Sequence, residues 1–414
     1  MRAVVVGGDG RAHALAAVLR RSGAAVVVSG GNAGMAALGE VVTAAPPDEL
    51  DADLFVISAE APLVDGIADR LRAQGKRVFG PGADGARLEG SKAWMKDVVA
   101  AAAVPTAAHG SFDAPEPALE FLRALPPPYV VKTDGLAAGK GVLVTDVLAE
   151  AEADVRAKLA GETFGAAGRT VVIEEGMVGP ELSVLAVCDG TNAVALAPAR
   201  DFKRARDGDA GPNTGGMGSF APVADAGDDL VGDVLDRFVL PTLWALRDRG
   251  IDYRGTLYAG LMLTDAGPKL VEFNVRFGDP EAQVVLPLLT SDLADLLAAA
   301  AAGDLGGRAP AFEPGARVCV VAASPGYPEA PVTGSEITGL DGDGAPSAAV
   351  FCAGVGCDDR GRLVTAGGRV LNVVGAGPTI AAARTQAYDR LASISFSGMQ
   401  FRTDIAAAAA EEES

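Results

Sequence analysis

Short apolar runs alternate with helical segments through residues 1–102, and few folds accommodate such an alternation. Ala3–Val6, Ala25–Ser29 and Leu54–Ser58 have the length and composition of buried strands, whereas Arg11–Arg21 is predicted to be a helix. Strands that alternate with helices favour a parallel sheet, and such sheets bind ligands at their carboxyl edge. We therefore predict a βαβ domain over residues 1–102.

The glycine turn after the first strand matches only part of a dinucleotide-binding fingerprint. Gly8 and Gly10 fit G-x-G-x-x-G, but His13 stands where the third glycine belongs. The second strand leads into Ser29-Gly30-Gly31-Asn32 and not into the acidic residue that would hold a ribose hydroxyl. This argues against a nicotinamide-dependent oxidoreductase, although the turn suits a phosphate at the helix N-terminus. We expect His13 to be a packed helix residue.

A second pattern, strict alternation of apolar and polar residues, lies within the run Leu270–Glu281. The apolar positions are Val271, Phe273 and Val275, and the polar positions are Glu272, Asn274 and Arg276. A strand here would place the three polar side chains on one face. Carboxylate and amide oxygens suit Mg²⁺, which leaves room for phosphate oxygens, and Arg276 could hold an anion bidentately. A solvated strand face is the alternative, because any half-buried strand alternates in this way.

A strand, a loop of small residues and a second strand are predicted between Tyr129 and Val144. The loop lies between Lys132 and Lys140. It is not a P-loop, because it lacks the pattern G-x-x-x-x-G-K-[ST] and because a strand follows it where a P-loop leads into a helix. Ordering a loop of glycines and alanines has a large entropic cost, and a hairpin without a function would avoid it. We therefore predict a flap that closes over phosphates. A second glycine-rich run, Gly211–Gly218, is predicted to bring backbone close to a ligand.

Composition excludes several classes of partner. The net charge of −19 argues against nucleic acid, because a phosphate backbone needs a basic surface. The four cysteines and two histidines form no zinc-type spacing, and scattered thiols suit a reducing cytosol. No apolar stretch is long enough to predict a membrane span. From about Arg317 the strands are followed by a single helix, which predicts a small α+β domain.

Taken in order, these runs resemble the phosphoribosylamine–glycine ligases (glycinamide ribonucleotide synthetases), a purine-pathway family of the ATP-grasp superfamily. The motifs that carry the resemblance are Gly10-Arg11, His13-Ala14-Leu15, Gly31–Gly34, Glu60–Val64, Phe79–Pro81, Leu88–Lys92, Lys132–Gly141, Gly211–Gly218, Leu257–Met262, Glu272–Glu281 and Gly367–Leu371. Ala12, Met35, Ser58 and Ala59 depart from the family pattern. All four lie in the N-terminal domain, so they bear on phosphoribosylamine binding and not on the ATP chemistry.

The resemblance implies a multidomain α/β and α+β fold. It implies a parallel-sheet domain over 1–102, an ATP-grasp domain with two antiparallel sheets over 103–314, with a flap subdomain at about 108–190, and a small α+β domain over 315–414. The implied reaction joins glycine to 5-phosphoribosylamine through glycyl phosphate, giving glycinamide ribonucleotide, ADP and phosphate. Another ATP-grasp carboxylate–amine ligase is the alternative, because these enzymes share their nucleotide site more than their substrates.

The resemblance also implies roles for individual residues. The implied ATP-binding residues are Lys92, Lys132, Gly139, Lys140, Glu174, Glu175, Met177 and Glu181. The implied ligands of Mg²⁺ or Mn²⁺ are Glu272 and Asn274. The implied substrate residues are Gly10, Arg11, Asn32, Asp201, Asn213, Thr214, Gly215, Arg276 and Asp279. Among these, Lys132, Asp201 and Arg276 are the expected catalytic residues. We expect a monomeric cytoplasmic enzyme whose partners are small molecules, with no nucleic acid and no membrane.

Overall fold

The N-terminal part is a five-stranded parallel sheet flanked by helices, in a computed structural model that describes residues 1–137, 141–161, 169–340 and 348–413. Its elements are β1 (Arg2–Val6), α1 (Gly10–Arg21), β2 (Ala25–Ser29), α2 (Ala33–Ala37), β3 (Val42–Thr43), a 3-10 turn (Pro47–Glu49), β4 (Leu54–Ile57), α3 (Glu60–Val64), α4 (Ile67–Ala73), β5 (Val78–Phe79), α5 (Ala83–Gly90) and α6 (Lys92–Ala101). The strand order is β3-β2-β1-β4-β5 with every pair parallel. The predicted parallel sheet is confirmed.

A four-stranded antiparallel sheet with two helices follows. Its elements are β6 (His109–Phe112), α7 (Pro115–Arg123), β7 (Tyr129–Thr133), β8 (Val142–Thr145), α8 (Leu148–Leu159) and β9 (Val171–Glu175). The strand order is β6-β9-β7-β8. Alternate strand residues such as Val131 and Ile173 point toward the helices and form a core of their own. Lys132 and Glu174, the next residues along, therefore point to the opposite face, away from the helices.

The second antiparallel sheet lies in the central part of the chain. The elements of this part are β10 (Glu181–Asp189), β11 (Ala193–Ala195), β12 (Arg200–Asp201), β13 (Arg204–Arg206), β14 (Ala210–Asn213), β15 (Gly218–Ala221), α9 (Asp228–Val234), a π-helical turn (Leu235–Val239), α10 (Leu240–Asp248), β16 (Arg254–Thr264), β17 (Gly267–Asn274), α11 (Ala282–Leu288) and α12 (Leu293–Ala302). The sheet has the order β11-β10-β16-β17, and β13 pairs with β14 in a separate hairpin. The two predicted antiparallel sheets are thus confirmed.

The C-terminal part completes a five-stranded sheet with strands from the central part. Its elements are β18 (Ala316–Ala323), β19 (Ala348–Cys352), β20 (Val355–Cys357), β21 (Leu363–Thr365), β22 (Arg369–Gly377), α13 (Ile380–Ala392) and α14 (Ala407–Glu412). The order β12-β15-β18-β22-β19 joins strands from both sides of residue 315, while the domain boundaries themselves stay a prediction. Among the described residues, no helix has both the length and the hydropathy needed to cross a bilayer.

His13 ties the first helix to this C-terminal sheet. Its Nδ1 accepts a hydrogen bond from the Cys352 backbone N–H at 2.9 Å, and its ring meets Phe351 edge-on. The side chain is buried, as expected for a packed helix residue. Burial, assisted by the charge of Arg20, lowers the pKa of His13 to about 4, so the ring is neutral at physiological pH.

Stability is expected to fall as the pH drops through the ordinary histidine range. His13 takes up a proton near pH 6.5 in the unfolded chain but only near pH 4 in the folded protein. Between these pH values the unfolded state binds more protons, so acid favours unfolding. At about pH 5 the loss is about 2 kcal/mol, measurable as a lower urea midpoint. His13→Asn should remove most of this pH dependence and His109→Asn should not. An unaltered dependence in His13→Asn would contradict the assignment.

Candidate active site

A cavity of about 740 Å³ opens where the three parts of the chain meet. Its lining includes ten residues that sequence analysis singled out, which are Arg11, Lys92, Asp201, Asn213, Thr214, Gly215, Glu272, Asn274, Arg276 and Asp279. They come from the N-terminal edge, from α6 and from the central strands and loops, far apart along the chain. The cavity is therefore the candidate active site.

Glu272 and Asn274 lie together at the end of β17. They pair with Gly260 and Tyr258 of β16, and a bulge at Val271 precedes them. The strand ends at Asn274, and Arg276, two residues beyond it, lines the same cavity as Glu272 and Asn274. Within the described ranges, the Glu272 carboxylate forms no hydrogen bond and no ion pair. It is thus placed to receive a ligand.

The charge state of Glu272 is set by its neighbours. Burial would raise its pKa, yet nearby cations lower the pKa overall. These cations are, from the largest effect, Lys203, Lys132, Lys92 and Arg276. The carboxylate is therefore ionised at neutral pH, which is the state that a hard cation requires.

Two guanidinium groups share one carboxylate beside this strand end. Glu60 lies 2.9 Å from Arg11 and 3.2 Å from Arg276, and Arg276 also pairs with Glu89 at 2.7 Å. Burial opposes the effect of both arginines, but together they lower the pKa of Glu60 to about 2. Arg276 donates to Asn274 Oδ1 at 3.1 Å, and a carbonyl oxygen has a second lone pair free for a cation.

Lys203 lies among carboxylates in the wall of the cavity. It forms an ion pair with Glu181 and is also close enough to Asp201 for the two to interact electrostatically. Burial raises the pKa of Asp201 to about 8 against the opposing effect of Lys203, and Glu281 and Glu272 add to the rise. In the described part of the chain, the Asp201 carboxylate has no hydrogen-bond partner. It is therefore suited to an additional cationic group.

The second glycine-rich run is held against this wall. Thr214 donates through both its backbone N–H and its hydroxyl to the Lys203 carbonyl, each at 2.8 Å. The Gly215 N–H donates to the Tyr327 hydroxyl at 3.0 Å, and Arg369 donates to the Gly215 carbonyl at 2.5 Å. A Cβ at Gly215 would lie 3.0 Å from the Arg369 guanidinium. The backbone of Gly211–Gly218 therefore passes close to other groups, and the groups it contacts here belong to the protein.

The predicted phosphate lysines differ in their surroundings. Lys92 begins α6, lines the cavity and donates to the Gly135 carbonyl at 3.1 Å. Lys132 is buried beside β17, 2.8 Å from Glu174, and a further lysine, Lys96, lies 3.0 Å from the same carboxylate. Glu174 is thus engaged by two ammonium groups, so its predicted contact with adenine would require it to leave them.

Other predicted residues lie elsewhere or hold structural contacts. Gly10 packs at the start of α1, where a Cβ would meet Asn372 at 2.1 Å. Asn32 donates to the carbonyl groups of Gly8, Cys352 and Ala353. Glu175 and Met177 are half-buried at the end of β9. Gly139 and Lys140 lie outside the described residues. The roles of all these residues stay predictions.

Several lining residues were given no role from sequence, namely Glu89, Lys203, Tyr258, Glu281, Tyr327 and Arg369, although Glu89, Tyr258, Glu281 and Arg369 lie in motifs that carry the resemblance. Glu281 accepts from the Tyr258 hydroxyl at 2.5 Å, and Arg369 pairs with Asp279 at 2.8 Å. Glu281 ends the motif Glu272–Glu281, so its position offered a signal. Nothing in the sequence placed Tyr327 or Arg369, from the C-terminal part, near the other residues.

Family models match almost the whole chain. The models described as the N domain, the ATP-grasp (A) domain and the C domain of phosphoribosylglycinamide synthetase match residues 1–89, 90–282 and 317–408. Together these matches cover well over half of the chain, and they follow the order of its three structural parts.

Individual proteins are similar over their full length. The chain is 46% identical to a protein of Caulobacter vibrioides named phosphoribosylamine–glycine ligase, with 97% of each chain covered. It is 46% identical to one of the same name from Streptomyces coelicolor, covering 99% of this chain and 100% of that one. The crystal structure of a phosphoribosylamine–glycine ligase from Thermotoga maritima superposes with a TM-score of 0.87 at 36% identity, covering 98% of this chain and 100% of that one.

Proposed function

Because the chain belongs to the phosphoribosylglycinamide synthetase family, we propose that it joins glycine to 5-phosphoribosylamine with ATP, giving glycinamide ribonucleotide, ADP and phosphate. It is thus an ATP-grasp carbon–nitrogen ligase of purine biosynthesis. The observation that carries the proposal is the cavity in which the residues expected for this reaction meet. We also propose that the protein acts as a monomer.

We place the ATP phosphates between Lys92, Lys132 and the end of β17. A magnesium ion would be held by Glu272 and Asn274, and when bound it would neutralise charge on the phosphates. The donor set fits, because the carboxylate is ionised and unpaired among the described residues. Those residues include no group of three or more His, Cys, Asp or Glu able to hold a metal ion. Such a sparse set suits Mg²⁺, whose other ligands are phosphate and water oxygens.

The adenosine would lie between the two antiparallel sheets, beside Glu175, Met177 and Glu181. Glu175 ends β9, Glu181 begins β10, and Met177 lies in the segment that joins the two sheets. Glu175 is 3.7 Å from Lys269 and Glu181 is paired with Lys203. Both carboxylates are exposed enough to exchange these partners for hydroxyl or amine groups of a nucleoside.

The chemistry needs two successive displacements. A carboxylate oxygen of glycine attacks the γ-phosphorus and ADP leaves, which gives glycyl phosphate. The nitrogen of 5-phosphoribosylamine then attacks the carbonyl carbon, phosphate leaves, and the nitrogen loses a proton. Positioning and charge stabilisation carry such reactions. Arg276 would balance the charge on the acyl phosphate, and the loop after Lys132 would exclude water that could hydrolyse it.

Asp201 is the candidate group for the glycine ammonium. Burial keeps this carboxyl largely protonated below its raised pKa of about 8, whereas an ammonium ligand favours the ionised form. Glycine binding should therefore release a proton from Asp201 at neutral pH. The adjacent Thr214 and Gly215 would close the same pocket, while Arg11 would face the sugar phosphate.

The KM for glycine is expected to fall as the pH rises from about 6.5 to about 8.5, because ionised Asp201 becomes more abundant. Asp201→Asn should raise the KM for glycine and remove this pH dependence, while the KM for ATP changes little. The measurement is steady-state phosphate release at several pH values in both proteins. A KM for glycine that stays equally pH-dependent in Asp201→Asn would contradict the assignment.

Phosphate release in the presence of ATP, magnesium and 5-phosphoribosylamine tests the proposed function as a whole. Release should depend on both glycine and the amine, and the amide product should appear in equal amount. Alanine in place of glycine is the matched control, since one added methyl group tests the size of the acid pocket. Release with another acid and none with glycine would indicate a different ligase of the same superfamily.

A further inference from the structure

Beside β17, two lysines share one carboxylate. Glu174 on β9 is only 1% exposed, and its two oxygens meet Lys132 on β7 and Lys96 on α6 at 2.8 and 3.0 Å. Both lysines are buried as well. The three groups therefore carry one net positive charge, which faces the ionised Glu272 at the end of β17. A positive charge beside a carboxylate that would hold a cation suits the phosphates of a metal-bound nucleotide.

The two ammonium groups are also tied to consecutive residues just before Glu272. Lys96 donates to the Thr106 hydroxyl at 2.8 Å, and that hydroxyl donates to the Leu270 carbonyl at 2.7 Å. Lys132 donates to the Val271 carbonyl at 3.3 Å. The position of both charges relative to the end of β17 is therefore set by the backbone of that strand.

Lys132 engages both Glu174 and the backbone of β17. Its Nζ lies 2.8 Å from Glu174 Oε1 and donates to the Val271 carbonyl at 3.3 Å. An ammonium group has three N–H donors, so one donor of Lys132 is left for a phosphate oxygen. Lys96 holds the other carboxylate oxygen and so keeps Glu174 from turning fully onto Lys132.

We propose that Lys96 is a positioning residue for nucleotide binding, which acts by occupying Glu174 so that Lys132 stays free to bind the ATP phosphates. The inference rests on the proposed function, in which Lys132 contacts the triphosphate. Lys96 is fully buried and its ammonium group is held by Glu174 and by the Thr106 hydroxyl, so it acts through Glu174 and not by touching ATP. Without Lys96, the carboxylate would neutralise Lys132 and the surplus positive charge would be lost.

The same arrangement makes the surplus charge sensitive to alkaline pH. Lys96 faces Glu174 from β9, Lys132 from β7 and Glu272 from β17. Burial lowers the pKa of Lys96 to about 8 against the opposing effect of Glu174. Above that pH Lys96 loses its proton, so the affinity for ATP is expected to fall as the pH rises through this range.

Lys96→Met tests the inference. Its dissociation constant for magnesium–ATP, measured by calorimetry, and its KM for ATP should each rise at least about tenfold at neutral pH, while the KM for glycine stays within about twofold. Lys96→Arg keeps the charge and should recover most of the affinity. The matched control is Lys158→Met, which removes another buried lysine that contacts the Val131 carbonyl and pairs with Asp154. It should leave both KM values near those of the unmodified chain.

Three results would contradict the role proposed for Lys96. Unchanged ATP binding in folded Lys96→Met, an equal loss in Lys158→Met, or no recovery in Lys96→Arg would overturn it. If Lys96→Met does not fold, Lys96→Gln takes its place, because it keeps a polar group and removes the charge. A raised ATP dissociation constant in Lys96→Gln supports the role of Lys96, and an unchanged one overturns it. Failure of the proposed function is distinct, because it would appear as no glycine-dependent turnover in the unmodified chain.

Discussion

Replacing Glu272 with glutamine is expected to abolish ligation while the chain stays folded. Glutamine keeps the shape of the side chain and removes the charge that a divalent cation requires. The carboxylate forms no hydrogen bond or ion pair in the described part of the chain, so the replacement breaks no direct contact there. We expect kcat/KM to fall by about 10³-fold or more, since charge stabilisation at a phosphoryl-transfer site contributes several kcal/mol.

The experiment compares phosphate release by both proteins over a magnesium titration. Asp265→Asn is the matched control, because this exposed carboxylate lies at the turn of the same β16–β17 hairpin and outside the cavity. It should keep normal turnover and normal magnesium dependence. Thermal unfolding checks that Glu272→Gln is folded. Turnover of that variant within about tenfold of the unmodified chain would exclude Glu272 as a metal ligand.

Replacing Glu174 with methionine is expected to have the largest effect on stability. The change leaves Lys96 and Lys132 buried without their shared carboxylate. Breaking a buried ion pair by removing one partner costs about 3–5 kcal/mol, because a charge remains without compensation. The loss of stability should be confined to the four-stranded sheet β6-β9-β7-β8. The measurement is therefore the free energy of opening of β7 and β9, obtained from native-state hydrogen exchange.

The double variant Glu174→Met with Lys96→Met isolates the cause. Removing one of the two stranded cations should restore a large part of the lost opening free energy, although each single change is unfavourable. Glu152→Met is the control, since it breaks an exposed ion pair with Arg123 in the same sheet-and-helix unit and should change little. A double variant no more stable than Glu174→Met alone would show that the lysines are not the source of the loss.

Local sequence patterns were sufficient for much of the fold. The alternation of apolar runs and helices predicted β1, β2 and β4 to within a residue, because a buried strand needs a continuous apolar segment. The period of two placed Glu272 and Asn274 on one face, since successive strand residues point to opposite sides. Arg276 lies beyond the end of the strand, yet its side chain reaches the same cavity, where it is held by Glu60, Glu89 and Asn274.

Partners across the molecule were beyond the reach of these patterns. A period of two indicates the face on which Glu174 lies, but not that Lys96 from a separate helix meets it there. Similarly, the C-terminal motif that contains Arg369 was recognisable, yet its contacts with Gly215 and Asp279 depend on how β22 joins the sheet with β15 and β18. Such contacts depend on the pairing of strands that are far apart in the chain, and local residue spacing does not indicate which strands pair.

The chain's own chemistry thus specified its strands, its glycine turns, its family resemblance and the residue types suited to ATP and a divalent cation. Tertiary packing determined which of those residues line one cavity and which contact other side chains instead. The physical reason is that periodicity and composition act over a few neighbouring residues. Burial, charge balance and pKa depend instead on every group within a few ångströms, whatever its distance along the chain.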